Sequence, residues 1–228
     1  MKYLLTKYVF KRSITGSDWQ IRPAPKGADR NWFNKPTNYT QIKFDEFPDF
    51  IPDAYFELDE KGKFTDIIRI SNTHAKGFLV SPRVRELWND FILLDHQYYP
   101  ATVVAESGEK RDYFLFHMAA QDIKGLDYEK SVFNDCKQLI QTNDDGSQVF
   151  VETKIGRLIE RILPTKPPRS LALKKLYFDE KFPGYDLFYI PFFMVLEDFF
   201  ISERLATVMQ REKMTGLVFE EQSIIDEF

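Results

Sequence analysis

The feature that most constrains the fold is an internal repeat. Residues 57–70 align with residues 177–190, and after one inserted residue 78–88 align with 199–209. The 25 aligned positions hold eight identities, and most of the others exchange one apolar residue for another. Because the matched positions have the same structural meaning in both copies, we interpret the chain as two related units.

Each unit is predicted to be a β-hairpin followed by a helix. An apolar-rich strand leads into a polar turn with the sequence Asp-Glu-Lys, and a second run of β-branched and aromatic residues follows. A serine, Ser81 or Ser202, then stands where the N-cap of a helix is expected, because its hydroxyl can accept a hydrogen bond from a free backbone N–H. Apolar residues recur behind each serine at helical spacing, so each helix should pack one face on a sheet.

The remaining patterns predict further strands at 97–99, 113–116 and 217–219. A short amphipathic helix is expected over 155–162, followed by a stiff proline-rich connector at 164–170. The sequence therefore predicts an α+β protein with mainly antiparallel sheets, in which two hairpin-plus-helix halves share or abut one core. The turn-rich run 141–147 favours a division into an N-terminal half, residues 1–140, and a C-terminal half, residues 141–228.

Composition excludes several classes of partner. The 228 residues are 43% hydrophobic and 29% charged, which is typical of a globular chain. The 31 basic and 35 acidic residues give a net charge of −4, so no overall positive field attracts polyanions. We expect neither nucleic acid nor membrane as a partner, and the composition leaves the oligomeric state open.

The cysteine and histidine content argues against metal chemistry. A single cysteine, Cys136, cannot form an internal disulfide or a thiolate cluster, and the three histidines are widely spaced. The first residues lack the apolar run of a secretory signal, and no stretch approaches the length that crosses a bilayer. We therefore expect a cytoplasmic protein with no metal site and no cofactor.

The sequence offers no familiar catalytic motif. It has no nucleophile elbow, no glycine-rich phosphate loop and no paired-histidine zinc motif. No catalytic residue is expected, and we interpret the protein as one that is not an enzyme. The alternative is an enzyme with an unrecognised carboxylate or histidine site, for which Asp59, Glu60 and His117 are the first candidates.

One segment combines negative charge with aromatic residues. Residues 44–60, which we call the acidic segment, contain seven acidic and no basic residues, interleaved with aromatic rings. Such a surface suits a basic protein partner, because aromatic anchors supply binding energy and carboxylates steer the encounter. The candidate contact residues are Asp45, Glu46, Asp49 and Asp53, with Tyr98 and Tyr99 as a second choice.

Two other interpretations of the acidic segment stay open. Its aromatic residues could point into the core and leave only a solvated edge. Alternatively, the basic stretch 154–175 could face it within the fold.

Several strings resemble a known family. They are 77–87 (GFLVSPRVREL), 112–118 (DYFLFHM), 126–131 (LDYEKS), 199–205 (FFISERL) and 214–219 (MTGLVF). Together they are similar to the bacterial polymorphic-toxin immunity proteins of immunity-protein family 11, formerly a domain of unknown function. The similarity extends over residues 50–220, and its motifs are hydrophobic and helix-capping patterns.

The resemblance implies an antidote that binds a secreted antibacterial toxin in the cytoplasm and blocks its active site. Type VI secretion and related contact-dependent systems are the usual setting of such pairs. The family motifs correspond to scaffold positions, so the resemblance supplies no binding residues. A protein-binding module unrelated to toxins is the remaining alternative.

Overall fold

The computed structural model describes residues 1–9, 11–17, 19–28, 31–70, 73, 75–120, 122–142, 148–153, 171–190 and 199–225. Its strands are β1 (Tyr3–Tyr8), β2 (Ala54–Glu57), β3 (Ile67–Arg69), β4 (Lys76–Val80), β5 (His96–Val104), β6 (Lys110–Met118), β7 (Val132–Thr142), β8 (Gln148–Thr153), β9 (Leu171–Lys175), β10 (Leu187–Phe188), β11 (Phe200–Ser202) and β12 (Leu217–Glu221). Its α-helices are α1 (Arg12–Thr15), α2 (Pro82–Trp88) and α3 (Glu203–Arg211). Short helices and many strands confirm the predicted α+β class.

Two of the sheets share the same spatial order of four antiparallel strands. The five-stranded sheet has the order β2-β5-β6-β4-β3, and the four-stranded sheet has the order β10-β11-β1-β12. In each, a two-strand hairpin leads into a helix, and a later strand pairs with a central strand that is antiparallel to both of its neighbours. That central strand is β6 in the first sheet and β1 in the second. The shared order confirms the two related units, with one difference in connection: β6 follows its hairpin in the chain, whereas β1 precedes its own.

The hairpin of each unit lies one step later in the chain than predicted. The strands that flank the first Asp-Glu-Lys turn are β2 and β3, which occupy opposite edges of the five-stranded sheet. The antiparallel pair is β3 with β4 in the first unit and β10 with β11 in the second. β2 pairs in parallel with β5 and not with β3. The Asp-Glu-Lys turn therefore connects one edge of the sheet to the other.

A third sheet joins strands from both sides of the predicted boundary. Its order is β8-β7-β9, and β7 continues past residue 140 to Thr142. The strand β1, from the N-terminal end of the chain, also lies in the sheet of the second unit. The division into residues 1–140 and 141–228 stays a prediction. The predicted helix at 155–162 and the connector at 164–170 lie outside the described residues.

Both helices that follow the hairpins begin at the predicted serines. The Ser81 hydroxyl accepts a hydrogen bond from the Val84 N–H at 3.4 Å, and the Ser202 hydroxyl accepts one from the Leu205 N–H at 3.1 Å. Pro82 occupies the first turn of α2, where its missing N–H removes no helical hydrogen bond. The two caps confirm that the serines are equivalent, as the repeat predicts.

The core has two parts, and the difference between them positions the candidate site. The first cluster combines residues of both units, such as Phe78 and Trp88 with Phe188 and Phe200, so the units share one core. The second cluster covers the far face of the five-stranded sheet. It is built from residues before and within β2, notably Tyr39 and Ile42, which pack on that face. The chain between residues 21 and 58 thus forms a cover over the first sheet.

The two units also hold each other through equivalent aspartates. Asp66 precedes β3, and its carboxylate accepts hydrogen bonds from the Thr215 N–H at 2.9 Å and the Thr215 hydroxyl at 2.8 Å. Asp186 precedes β10, and its carboxylate accepts one from the Ile92 N–H at 3.0 Å. Each donor lies four residues beyond the helix of the other unit. Each unit therefore fixes the segment that leaves the helix of its counterpart.

Candidate protein-binding site

The backbone of the acidic segment is anchored to the body of the protein at several points. The carbonyl of Phe44 accepts a hydrogen bond from the Tyr189 hydroxyl at 2.9 Å. The carbonyl of Glu46 lies 3.3 Å from Nε2 of His117, and the Asp53 N–H donates to the carbonyl of Thr37 at 2.7 Å. These contacts hold residues 44–53 in place, so the side chains that point outward are presented on a fixed frame.

The predicted carboxylates lie on the outside of this frame. Glu46, Asp49 and Asp53 are exposed and Asp45 is half-buried. Glu46 pairs with Lys43 at 2.5 Å, and the hydrogen bond to Glu46 raises the pKa of the Lys43 ammonium above its ordinary value. Because both partners are exposed, this pair contributes little to stability. The remaining carboxylates leave a surface with net negative charge.

The apolar residues of the segment divide between core and surface. Phe50 is half-buried against the second cluster, and the ring of Phe47 packs edge-on against His117 at 5.7 Å between centroids. In contrast, Ile51 is 77% exposed and Tyr55 is 39% exposed. The expectation that aromatic residues point inward therefore holds for part of the segment, while Ile51 and Tyr55 stand among the carboxylates. We call Asp45, Glu46, Asp49, Ile51 and Asp53 the acidic surface.

The tyrosine pair chosen second is not a common surface. Adjacent residues of β5 point to opposite faces of the sheet, so Tyr98 and Tyr99 face different clusters. Tyr99 is only 7% exposed, and its hydroxyl donates to Oε1 of Gln97 at 2.5 Å. Tyr99 is thus a core residue, because the cover formed by residues 21–58 lies over its face of the sheet. A contact role for either tyrosine stays a prediction.

Tyr98 is half-buried beneath helix α2. The guanidinium carbon of Arg85 lies 5.2 Å from the centre of its ring. Burial raises the pKa of its hydroxyl well above the ordinary value. In the part of the chain that the structure describes, this hydroxyl has no hydrogen-bond partner. Tyr98 therefore packs on the face of the sheet that also carries Phe114 and Phe116.

A cleft opens next to the acidic surface. It has a volume of about 710 Å³ and is lined by residues of β2, β5 and β6 together with the loop that contains Trp32 and Lys35. Asp53 and Tyr55 belong to both the cleft and the edge of the acidic segment. Across the strands, Tyr55 stands opposite Thr102, and Thr102 stands opposite Asp112. The cleft thus holds two carboxylates, those of Asp53 and Asp112, together with the ring of Tyr55.

Sequence reasoning missed Asp112 and Thr102. Both lie on strands that the sequence predicted, and the alternation of exposed Asp112 with buried Tyr113 marks the outward face of β6. The signal that was absent is the parallel pairing of β2 with β5, which brings Tyr55 to these residues. Ile51 was also missed, because an isolated isoleucine in an acidic stretch has no distinctive pattern.

The residues proposed for an enzymatic site are not brought together. Asp59 and Glu60 lie in the turn after β2, where the Asp59 N–H donates to the Gln20 carbonyl at 3.0 Å. His117 is fully buried on β6, and its ring nitrogens each lie 3.3 Å from a carbonyl oxygen, those of Lys76 and Glu46. Among the described residues, no hydrogen bond or ion pair joins His117 to either carboxylate.

Burial lowers the pKa of His117, and the two carbonyl oxygens oppose that shift without overcoming it. The imidazole is therefore favoured in its neutral form, which donates one hydrogen bond. Its position explains the anchoring of the acidic segment, since one of its two neighbours is the Glu46 carbonyl.

The described residues contain neither a metal-binding cluster nor a membrane-spanning helix. No group of three or more histidine, cysteine, aspartate or glutamate residues in these ranges is placed to hold a metal ion. In the same ranges, no helix is long and apolar enough to span a membrane. The basic stretch 154–175 lies outside the described residues up to residue 170. Whether that stretch faces the acidic segment stays open.

Comparison with known proteins assigns no family. No protein-family model matches the chain, and no curated protein matches it either. The inference about function therefore depends on the chemistry of the acidic surface and the cleft beside it, together with the resemblance carried by the sequence motifs.

Proposed function

We propose that this protein is an immunity protein that binds and neutralises a cognate secreted antibacterial toxin in the cytoplasm by covering its active site. The observation that carries the proposal is the acidic surface. It presents exposed carboxylates around the exposed side chain of Ile51, on a backbone that hydrogen bonds fix to the fold. The resemblance to immunity-protein family 11 supplies the class of partner.

The chemistry of this surface suits a basic partner. Exposed carboxylates raise the association rate with a positively charged protein and do so most strongly at low ionic strength. An apolar side chain at the centre can enter a pocket of the partner and supply binding energy. The toxin that fits best is one with a basic active site, such as an enzyme that acts on nucleic acid or nucleotides, because the carboxylates then mimic phosphate.

Rigidity also supports inhibition by occlusion. A partner loses less conformational entropy when it binds a surface that is already ordered. The anchors at Phe44, Glu46 and Asp53 hold the acidic surface in one arrangement before the toxin arrives. Binding therefore needs no folding step in this part of the chain.

The deciding experiment is growth protection. The proposal requires a toxin gene next to this one, and its C-terminal toxin domain is expressed in a susceptible bacterium, alone and together with this protein. We expect co-expression to restore growth and the two proteins to purify as a complex. Continued killing by a catalytically intact toxin would reject the proposal. A binding module unrelated to toxins would give a different partner and no protection.

A second experiment locates the interface. Reversal of charge at Asp45, Glu46, Asp49 and Asp53 should weaken toxin binding by about 10- to 100-fold and reduce its dependence on salt. The matched control reverses four exposed acidic residues outside the segment, namely Glu86, Asp90, Glu109 and Glu129. If the control weakens binding as much as the test variant, general charge and not the acidic surface steers the toxin.

A further inference from the structure

The cleft is lined by two carboxylates, Asp53 and Asp112, and by the aromatic ring of Tyr55. Tyr55, Thr102 and Asp112 face each other on adjacent strands, so Tyr55 and Asp112 are separated by about 10 Å, twice the usual spacing between strands. Asp53 lies two residues before Tyr55 and therefore on the same face of the chain. The cleft beside these residues, with a volume of about 710 Å³, has room for a side chain of another molecule.

The two carboxylates have acceptor capacity to spare. Asp112 is exposed, and in the part of the chain that the structure describes its carboxylate forms no hydrogen bond or ion pair. Within the same ranges, the Asp53 carboxylate accepts from the Thr37 hydroxyl at 3.2 Å. A carboxylate that a partner covers loses its water, and this cost is offset only when a cation or several donors replace that water. An occupant of the cleft must therefore bring positive charge.

The aromatic walls favour a flat cation. Tyr55, Trp32 and Phe114 all line the cleft. The protein already stacks a guanidinium on this face, since the guanidinium carbon of Arg85 lies 4.3 Å from the centre of the Phe114 ring. An arginine side chain can stack on a ring and reach a carboxylate with two parallel N–H groups, whereas lysine is a point charge without a plane.

We propose that this cleft receives an arginine side chain of the partner protein, stacked on Tyr55 and paired with Asp112. The inference rests on the proposed function for the identity of the partner and gives that partner a specific chemical requirement. Lys35 also lines the cleft and opposes a cation there. The arginine therefore enters from the side of Tyr55 and Asp112, and removal of the Lys35 charge should strengthen binding.

The first experiment tests the cleft without a toxin. The full chain, labelled with nitrogen-15, is titrated with acetyl-Gly-Arg-Gly-amide, and the matched peptide carries citrulline, which has the shape of arginine without its charge. We expect saturable shifts at the amides of Tyr55, Thr102 and Asp112, with a Kd in the millimolar range, and binding about tenfold weaker for citrulline. Equal binding of the two peptides, shifts elsewhere, or no saturation would overturn the proposal.

Variants then assign the two contacts. Asp112→Asn should weaken binding of the arginine peptide about fivefold or more, while Asp90→Asn, an exposed aspartate outside the cleft, should leave it unchanged. Tyr55→Ala should weaken binding and Tyr55→Phe should retain it, because stacking needs the ring and not the hydroxyl. An unchanged Kd in Asp112→Asn and Tyr55→Ala, with folding intact by circular dichroism, would contradict the assignment.

The same variants separate this inference from the proposed function. Against the toxin, Asp112→Asn should weaken binding about tenfold, and Asp90→Asn should not. If Asp112→Asn has no effect while charge reversal of the acidic surface still weakens binding, the arginine pocket is wrong and the immunity function stands. If growth protection fails while the arginine peptide binds as expected, the pocket stands and the partner is another basic protein.

Discussion

The two sheets with the same strand order differ in what covers one of their faces, the face that carries Tyr99 and Leu115 in the five-stranded sheet. In the five-stranded sheet, Tyr99 stands opposite Leu115 and both are buried. In the four-stranded sheet the matching positions are Glu220 and Leu5, and Glu220 is exposed. Likewise, buried His117 corresponds to Lys7, and the neighbour of Lys7 on β12, Val218, is 44% exposed. The face that carries Tyr99 is thus covered in the first sheet, and the matching face of the second sheet, which we call the open sheet, is partly exposed.

The candidate site lies in the segment that makes the two sheets different. The cover over the first sheet is the chain between residues 21 and 58, and the acidic surface and one wall of the cleft belong to this cover. The repeated hairpin and helix supply a frame, and the segment specific to the first unit supplies the binding chemistry. Binding residues are therefore expected in the segment that breaks the repeat and not in the repeat itself.

Removal of a core side chain from the cover should have the largest effect. Ile42 is 1% exposed in the second cluster. Ile42→Ala should lower the free energy of unfolding by about 3 kcal/mol, because the lost contacts leave a cavity. The matched change in the open sheet, Val218→Ala, should cost less than about 0.5 kcal/mol. Urea denaturation of both variants measures the difference.

The acidic surface offers an independent readout of the same change. Because residues 44–53 are anchored on this cover, Ile42→Ala should also weaken toxin binding, whereas Val218→Ala should not. Equal losses of stability in the two variants would mean that the outer faces are covered alike, and the comparison of the two sheets would fail.

The paired aspartates give the next largest effect. Asp186 is fully buried and accepts hydrogen bonds from the Ser202 hydroxyl at 2.5 Å and from Nε of Arg204 at 3.2 Å. Burial opposes its ionisation, but the hydrogen bonds from Arg204, Ser202 and Ile92 outweigh burial and hold the pKa of Asp186 below its ordinary value. Asp66 is half-buried, and the arginine that matches Arg204, Arg83, pairs with Glu212 instead.

Asp186→Ala should therefore destabilise the protein by about 3 kcal/mol and Asp66→Ala by about 1 kcal/mol. The reason is that the first change leaves several buried donors unpaired, whereas water can replace the second carboxylate. Thermal and urea unfolding of both variants provide the measurement. A larger loss in Asp66→Ala would show that the contact with Thr215, and not the buried network, holds the units together.

A glycine marks another difference between the units. Gly216 has φ +110° and passes so close to β3 that a Cβ atom would stand 1.9 Å from the Ile67 carbonyl oxygen. The matching position in the first unit is Leu93, which fits and is buried. Gly216→Ala should cost about 2 kcal/mol, and Gly184→Ala, at φ +69° where a Cβ would meet only the Met1 side chain at 3.5 Å, about 1 kcal/mol.

Hydrogen-exchange experiments check the same close approach. Because Gly216 brings the end of α3 against β3, Gly216→Ala should remove the protection of the Ile67 amide from hydrogen exchange, since that N–H donates to the Thr215 carbonyl at 2.9 Å. Gly184→Ala should leave this amide protected. Equal exchange of the Ile67 amide in the two variants would show that its protection does not need the close approach of Gly216 to β3.

Local signals in the sequence were sufficient for the helices and most strands. Ser81 and Ser202 cap helices because a hydroxyl before an amphipathic run satisfies free N–H groups, and that chemistry depends on neighbouring residues alone. The pairing of β2 with β5 was not predictable, because the Asp-Glu-Lys turn has the residues of a hairpin turn. What decides the pairing is the distant strand β5, which competes for β2.

The candidate site shows the same limit. The carboxylates of the acidic segment were predictable as surface residues because charged groups are rarely buried without a partner. The burial of Tyr99 was not predictable, since it depends on Ile42 and Tyr39 from a cover more than fifty residues away in the chain. Asp112 joined the candidate site only through the order of strands β2, β5 and β6.

The smallest effect concerns pH, and it again contrasts the covered and the open sheet. Burial lowers the pKa of His117 below that of the unfolded chain, so the unfolded state binds a proton first as the pH falls. The stability that neutral His117 supports is therefore present above the ordinary histidine pKa of about 6.5 and is lost as the pH falls below it. For one proton, the loss is at most about 1.4 kcal/mol per pH unit.

His117→Gln should flatten this part of the stability profile between about pH 6.5 and pH 5, because glutamine does not titrate. Lys7→Gln, at the matching position of the open sheet, should leave the slope unchanged. Urea unfolding at half-unit steps of pH measures both slopes. A slope that survives in His117→Gln would place the titrating group elsewhere, and the burial of this imidazole under the acidic segment would not govern stability in mild acid.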